Sequence, residues 1–332
     1  MAEATIRDVA RRAQVSVASV SRALNGLNNV GQATRERVLV AAKELGYVPH
    51  AGARSLSLAR AHALGVVLPD LHGEFFSEIV RGMDREASRR GYLLLLSNMH
   101  GTGEQATTAL RAMRGRVDGL LVMAPHLPVE ILEEALPAAL PAILLNPAGD
   151  TGDRPSLRLD NHAGAEAVVR HLAENGYRRI VHIAGPEGNI DAQERADGYR
   201  RALARHVPGA EPLVLSGDFS EEAGEAAAEV IFSLGADCDA VFAANDMMAL
   251  GCLHALRSAG LSVPEDVALA GFDDVPLARY LALTTVRVRI AELGARAVAR
   301  LVDHLEGRSG GPAGELHSPE LVARATTAAR AG

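Results

Sequence analysis

Apolar positions recur every three or four residues through the first 45 positions, then change to short unbroken runs. Ile6, Val9, Ala10 and Ala13 make the first helical stripe, with Thr5 placed to cap it. Val17, Val20 and Leu24 make a second, opened by Ser16 as N-cap. Only Gln14 and Val15 separate the two, so the pattern predicts a helix-turn-helix. A third helix is predicted over 32–45, with Thr34 and Arg35 near its start. From residue 60 onward, apolar runs stand at 64–68, 93–96, 119–124, 142–145, 180–184, 213–215, 240–244 and 267–270. Most are followed by an amphipathic helix, the first of which runs to about residue 90. Continuous Val/Leu/Ile runs between helices predict buried parallel strands of an α/β sheet. Eight of them exceed one comfortable sheet, so two lobes are expected.

The outer face of the second predicted helix shows Ala18, Ser19, Ser21, Arg22 and Asn25, which are small, hydroxylated or basic. Such a face can approach base edges closely in a DNA major groove. By pattern alone the same helices also suit a small helical cap on a larger domain. Charge separates the two readings. The 332 residues carry a net charge of -7, yet the first 60 hold nine Lys/Arg against four Asp/Glu, a balance of +5 that leaves -12 for the rest. A basic head on an acidic body puts phosphate binding at one end only.

The 48% hydrophobic content is that of a globular chain. No apolar run approaches the roughly 18 residues that span a membrane, and no signal peptide opens the sequence, so a cytoplasmic protein without membrane contact is expected. Cys238 and Cys252 are too few and too oddly placed for a disulfide framework or a metal site. The motifs of serine hydrolases, zinc proteases, redox thiols, P-loops and dinucleotide folds are absent and the twelve His are scattered, so neither an enzyme nor a cofactor is expected.

Three blocks then identify a resemblance. The first is Thr5-Ile6, Asp8-Val9-Ala10, Ala13, Val15-Ser16, Ser19-Val20-Ser21-Arg22 and Leu24-Asn25; the second is Thr34-Arg35, Arg37-Val38, Leu45-Gly46-Tyr47 and Pro49; the third is Ala53-Arg54-Ser55-Leu56. Together they resemble the LacI/GalR family of bacterial repressors. The resemblance implies an all-α helix-turn-helix head at 1–49, a hinge at 50–60, and a two-lobed core like the periplasmic binding proteins at 61–332, built on two doubly wound parallel sheets. On that pattern lobe one holds about 61–160 and 289–319, and lobe two about 161–288 and 320–330. The chain crosses near Asn161-His162-Ala163-Gly164 and along 285–288.

The DNA contacts so implied are Thr5, Ser16, Val17, Ala18, Ser19, Ser21, Arg22, Asn25, Thr34, Tyr47, Arg54 and Leu56. Leu56 of each subunit would wedge into the minor groove and kink it. His50 stands where the family usually has Asn. The partner is a palindromic DNA operator read by a homodimer, one half-site per subunit. The chain ends without the Leu heptads of tetrameric relatives, so assembly is expected to stop at a dimer. The rival reading is a solute-binding transport component, which would give the basic head no role.

Ligands of two-lobed α/β proteins sit at the carboxyl ends of strands. Residues there are 70–76, Asn146, Asp160, Asn161, 189–195, Asp218, Phe219, Asn245, Asp246, Asp273 and Asp274. Short amides, carboxylates and one Arg suit a polyhydroxylated ligand, with Phe rings for its apolar side. Aromatic residues are only 3% of the chain, which gives weight to Phe75, Phe76 and Phe219 at strand ends. Asp160 and Asp246 are equally suited to capping helices, and Phe76 to the core.

The family resemblance adds Arg195 with Gly198 and Tyr199, and blocks starting at Asn245 and ending at Asp274, with Asn245 and Asp273 binding hydroxyls. It departs at Gly73-Glu74, where the family has Asn-Pro, and at Asn146, where some relatives have Asp. The expected effector set is Phe75, Phe76, Asn146, Asp160, Asn189, Asp191, Arg195, Phe219, Asn245 and Asp273. Arg195 is the sole Arg or Lys at a predicted strand end, so a neutral sugar is favoured over a phosphate. A nucleobase or nucleoside is the alternative, with Asn189 and Asp191 reading the base edge.

Overall fold

The structure, a computed structural model, describes residues 4–25, 30–47, 60–99, 103–137, 139–234, 238–308 and 311–329. It divides into two units, Met1–Ala63 with Gly115–Asp118, and Leu64–Arg114 with Gly119–Gly332.

In the first unit, α1 (Ile6–Ala13), α2 (Val17–Leu24) and α3 (Gln32–Glu44) close on one small core of Val9, Ala10, Ala13, Val20, Ala23, Val38, Ala41 and Ala42. Asp8 accepts hydrogen bonds from the Thr5 backbone N–H at 3.0 Å and the Thr5 hydroxyl at 2.6 Å, which ties down the start of α1. Gln14 takes a left-handed φ of 55°, ending α1 and turning the chain into α2. Ser16 caps α2 by accepting from Ser19 N–H at 3.1 Å. One position departs from the helical stripe: Val17 is 41% exposed, because at the first turn of α2 its side chain lies outside the three-helix core that Val20 and Ala23 fill.

The second unit carries two parallel sheets. The first runs β11-β5-β4-β3-β1-β2, from β1 (Ala63–Leu68), β2 (Leu93–Asn98), β3 (Gly119–Met123), β4 (Ala142–Leu145), β5 (Ser156–Leu159) and β11 (Gly314–His317). The second runs β7-β6-β8-β9, from β6 (Ile180–Ile183), β7 (Leu213–Leu215), β8 (Ala240–Ala243) and β9 (Ala268–Ala270). β10 (Thr285–Arg287) and β12 (Glu320–Val322) pair antiparallel as a two-stranded ribbon, the chain having returned from the second sheet toward the first. Helices α4 (Glu74–Arg89), α5 (Gly103–Met113), α6 (Val129–Ala135) and α12 (Ile290–Leu305) go with the first sheet; α7 (Asn161–Glu174), α8 (Ile190–His206), α9 (Glu221–Leu234), α10 (Asp246–Ser258) and α11 (Pro276–Tyr280) go with the second.

Two strand expectations change. The 93–96 run is not buried: Leu93 is 71% exposed, and Leu95 and Leu96 are exposed beside it, because β2 is the last strand of its sheet. Leu213 is exposed for the same reason, β7 being an edge of the second sheet. Strands β5, β11 and β12 are additional, short and broken by charge (Arg158, Glu315, Glu320), so no apolar run announces them.

Paired helices on each sheet meet at backbone distance. A Cβ on Gly82 of α4 would stand 1.9 Å from Ala291 O of α12, and one on Gly251 of α10 would stand 1.9 Å from Glu221 O of α9. Only glycine allows either approach.

Candidate functional site

Because the strands of both sheets are parallel, their carboxyl ends gather around one cavity of about 400 Å³. From the first lobe it is lined by Phe75 and Phe76 after β1 and by Met123, Pro125 and His126 at the end of β3. From the second it is lined by Asn189, Asp191 and Arg195 on and before α8, by Phe219, by Asn245 and Met247 after β8, and by Asp273 after β9.

Arg195 organises the polar side. It is 4% exposed; its Nε donates to Asn161 Oδ1 at 2.9 Å and its Nη1 to Ala244 O at 2.6 Å. Its guanidinium lies 3.8 Å from the Phe272 ring centroid, and Nη2 stands 3.5 Å from Asp273 Oδ1. Asp191 is buried beneath it and accepts from Asn161 Nδ2 at 2.8 Å and Asn146 Nδ2 at 3.2 Å. Asp273 is 5% exposed, and its Oδ1 accepts no hydrogen bond from the described residues. Its φ of 113° is held by its N–H donating to Val286 O at 2.8 Å. A buried carboxylate oxygen without a donor is costly unless a ligand supplies one.

Burial raises the carboxyl pKa of both acids. Asp273 is pushed up to about 7, with Arg195 pulling it down and Asp191 pushing it further up. Between pH 3.8 and about 7 the folded chain holds this proton while the unfolded chain has lost it. Stability from this group is therefore lost as pH rises over that window and levels off above it. Asp273→Asn is expected to remove that part of the slope, so that the wild-type stability relative to the variant falls by about 1 kcal/mol per pH unit from pH 5 to 7. Urea unfolding at each pH measures it; parallel curves would contradict the assignment.

Of the ten residues expected around the effector, eight line the cavity: Phe75, Phe76, Asn189, Asp191, Arg195, Phe219, Asn245 and Asp273. Asn146 and Asp160 do not. Asn146 stands behind Asp191 and also accepts from Leu159 N–H at 3.0 Å, while Asp160 caps α7 by accepting from Ala163 N–H at 2.9 Å. Asn189 and Asn245 do double duty: each side-chain oxygen caps its helix, and Asn245 Nδ2 donates to Phe219 O at 2.9 Å. Asp246 lies below the cavity, accepting from the Thr285 hydroxyl and Val275 N–H. His126 and Met123 were missed, although β3 is an obvious strand and the rule that found the other strand ends applies to it equally.

In the head, Thr5, Ser16, Val17, Ala18 and Arg22 are exposed, while Ser19, Ser21, Asn25, Thr34 and Tyr47 are half-buried. Arg22 makes no ion pair among the described residues, whereas Arg11 and Arg12 are engaged with Asp8 and Glu44. Tyr47 packs against the three-helix core. Arg54 and Leu56 lie outside the described residues.

Comparison with known proteins follows the same division. The family profile for bacterial regulatory proteins of the lacI family matches residues 5–50, and that for a periplasmic binding protein-like domain matches 169–327. The chain is 36% identical over 330 residues to the HTH-type transcriptional repressor CytR of Escherichia coli K12, covering 98% of this chain and 97% of that one. Its fold matches a lac repressor dimer bound to operator and the anti-inducer ONPF, with TM-score 0.87, 30% identity, and 99% and 100% of the two chains covered. It also matches a complex of the transcriptional regulator CelR with cellobiose, with TM-score 0.71, 33% identity, and 97% and 99% covered.

Proposed function

Because the chain belongs to the lacI family of bacterial regulatory proteins, we propose that it is a DNA-binding transcriptional repressor whose operator affinity is set by a small neutral ligand, a sugar first of all, held between the two lobes. The observation that carries the ligand half is Asp273 Oδ1, buried without a donor beside Arg195 in a cavity of about 400 Å³. A sugar hydroxyl donates to that oxygen, other hydroxyls accept from Arg195 Nη2, and the Phe75 and Phe219 rings cover the apolar face. The CelR–cellobiose complex supports a sugar in a relative of this fold. The same two rings favour a second reading, a nucleobase or nucleoside, with Asn189 and Asp191 at its polar edge.

The DNA half rests on α2. Its exposed Ser16, Val17, Ala18 and Arg22 enter the major groove, and the arginine reads a base edge or phosphate. The operator is a palindrome read by a homodimer, as the lac repressor was solved on its operator as a dimer. The head spans 1–49, the hinge 50–60 and the core 61–332, and the protein works in the cytoplasm. No helix among the described residues is long and apolar enough to cross a membrane. Ligand binding favours the closed arrangement of the lobes and turns them across the dimer.

Calorimetry with D-ribose, cellobiose, adenosine and cytidine, and with Asp273→Ala as control, tests the cavity. A ligand that binds both proteins equally would place the effector elsewhere. For the head, Arg22→Ala is expected to weaken binding to a duplex selected from a random pool by about 1–3 kcal/mol. Binding to a scrambled duplex changes far less. Equal affinity of both proteins for the selected duplex would remove Arg22 from the interface.

A further inference from the structure

Among the described residues the two lobes touch each other through α8 and through α4, and Arg158 of β5 also pairs with Glu194 of α8 at 3.0 Å. At the start of α8, Ile190 N–H donates to Pro125 O of lobe one at 2.8 Å, and Asn146 Nδ2 donates to Asp191 at 3.2 Å. At the start of α4, Glu74 Oε2 accepts from Leu277 N–H of α11 at 3.0 Å, a contact between residues 203 positions apart. The N–H of Leu277 is available because it lies in the first turn of α11, behind Pro276, where backbone N–H groups have no partner within the helix. The N–H of Val275, two residues earlier, is fixed to Asp246 at 2.9 Å, so the segment after Asp273 is held to lobe two. Glu74 thus grips the segment that follows Asp273, while the next residue on its own helix, Phe75, lines the cavity. Glu74 itself does not line it.

We propose that Glu74 is a positioning residue that holds the lobes closed over the effector site, through its hydrogen bond from α4 of lobe one to the Leu277 N–H of lobe two. The inference rests on the reading of the cavity as a ligand site. A carboxylate accepting from a backbone N–H is a charge-assisted bond, stronger than a neutral one. Losing it leaves the lobes to be held by the contacts of α8 with lobe one, including Arg158–Glu194. Glu74 is half-buried at the start of its helix, so its replacement removes no core atoms. A purely local role, capping α11, predicts a different outcome from a role in closure.

Hydrogen exchange read by mass spectrometry on the full, ligand-free chain separates the two. In E74A the Leu277 amide loses its partner in either case. The informative amide is Ile190, which touches neither Glu74 nor α11 and whose partner, Pro125 O, lies on the other lobe. Its exchange is expected to quicken about five- to tenfold in E74A, the scale of one lost hydrogen bond. E74Q, which keeps an acceptor but no charge, falls between. Unchanged Ile190 exchange in E74A overturns the proposal and leaves Glu74 as a cap of α11. Calorimetry with D-ribose and adenosine is the second arm: whichever binds wild type binds E74A weaker by the same factor, and equal affinity also overturns the proposal. If neither probe binds wild type, the choice of ligand in the preceding reading fails while the exchange at Ile190 still decides on Glu74.

Discussion

Arg195→Ala is expected to abolish detectable ligand binding and to cost the fold about 3–5 kcal/mol, the scale of breaking a buried ion pair by removing one partner. The substitution removes the guanidinium from between Asp191 and Asp273, both buried, and leaves Asn161 Oδ1 and Ala244 O without their donor. It also uncovers the face of Phe272. Ligand loss and fold loss separate by comparison with Arg195→Lys. Lysine keeps one charge but cannot reach Asn161, Ala244 and Asp273 together, so it restores part of the stability and little of the affinity. Denaturant unfolding and calorimetry on the two variants measure this. Wild-type ligand affinity in Arg195→Lys would show that the fork geometry is not used.

Leu93→Lys is expected to turn a dimer into monomers. Leu93 and Leu95 stand on one face of the edge strand β2 and are exposed in the single chain, where nothing else in the described residues covers them. A two-fold interface counts each side chain twice. Removing about 1.5–3 kcal/mol of leucine burial on each side, before any charge penalty, weakens association by two orders of magnitude or more. Sedimentation equilibrium at micromolar concentration measures it, with Leu316→Lys, on the opposite edge of the same sheet, as the control that leaves the dimer intact. A Leu93→Lys protein that sediments as the wild type would move the dimer contact off β2.

Which of these features the sequence announces depends on how local they are. The head is legible because each stripe and cap lies within eight to thirteen residues, and Ser16, Val20 and Ala23 act within one turn or two of each other. The strands of the core are legible because parallel strands buried on both faces are unbroken apolar runs. Their order is not. Leu93 and Leu121 are the same residue type in similar runs, yet one ends a sheet and the other sits inside it, and only the order of strands decides that. The cavity is legible through the strand-end rule, and eight of ten expected residues line it. Asn146 and Asp160 stand outside the lining for a common reason: a short polar side chain at a strand end can serve the next helix or the next carboxylate as readily as a ligand. The Glu74–Leu277 bond had no signal at all, since nothing in the spacing of two residues 203 apart records that they meet.

The glycine contacts have a mechanical consequence. With Gly82 of α4 seated against Ala291 O and Gly251 of α10 against Glu221 O, the paired helices interlock at the main chain, where no rotamer change can take up a slip. Sliding of layers within a lobe is thereby disfavoured, which favours rotation of whole lobes. Each lobe then acts as a stiff arm, and a small closing angle at the ligand becomes a proportionate swing at the arm's far end. A cross-link placed within either helix pair should leave that swing untouched, whereas a tether from one lobe to the other should freeze it.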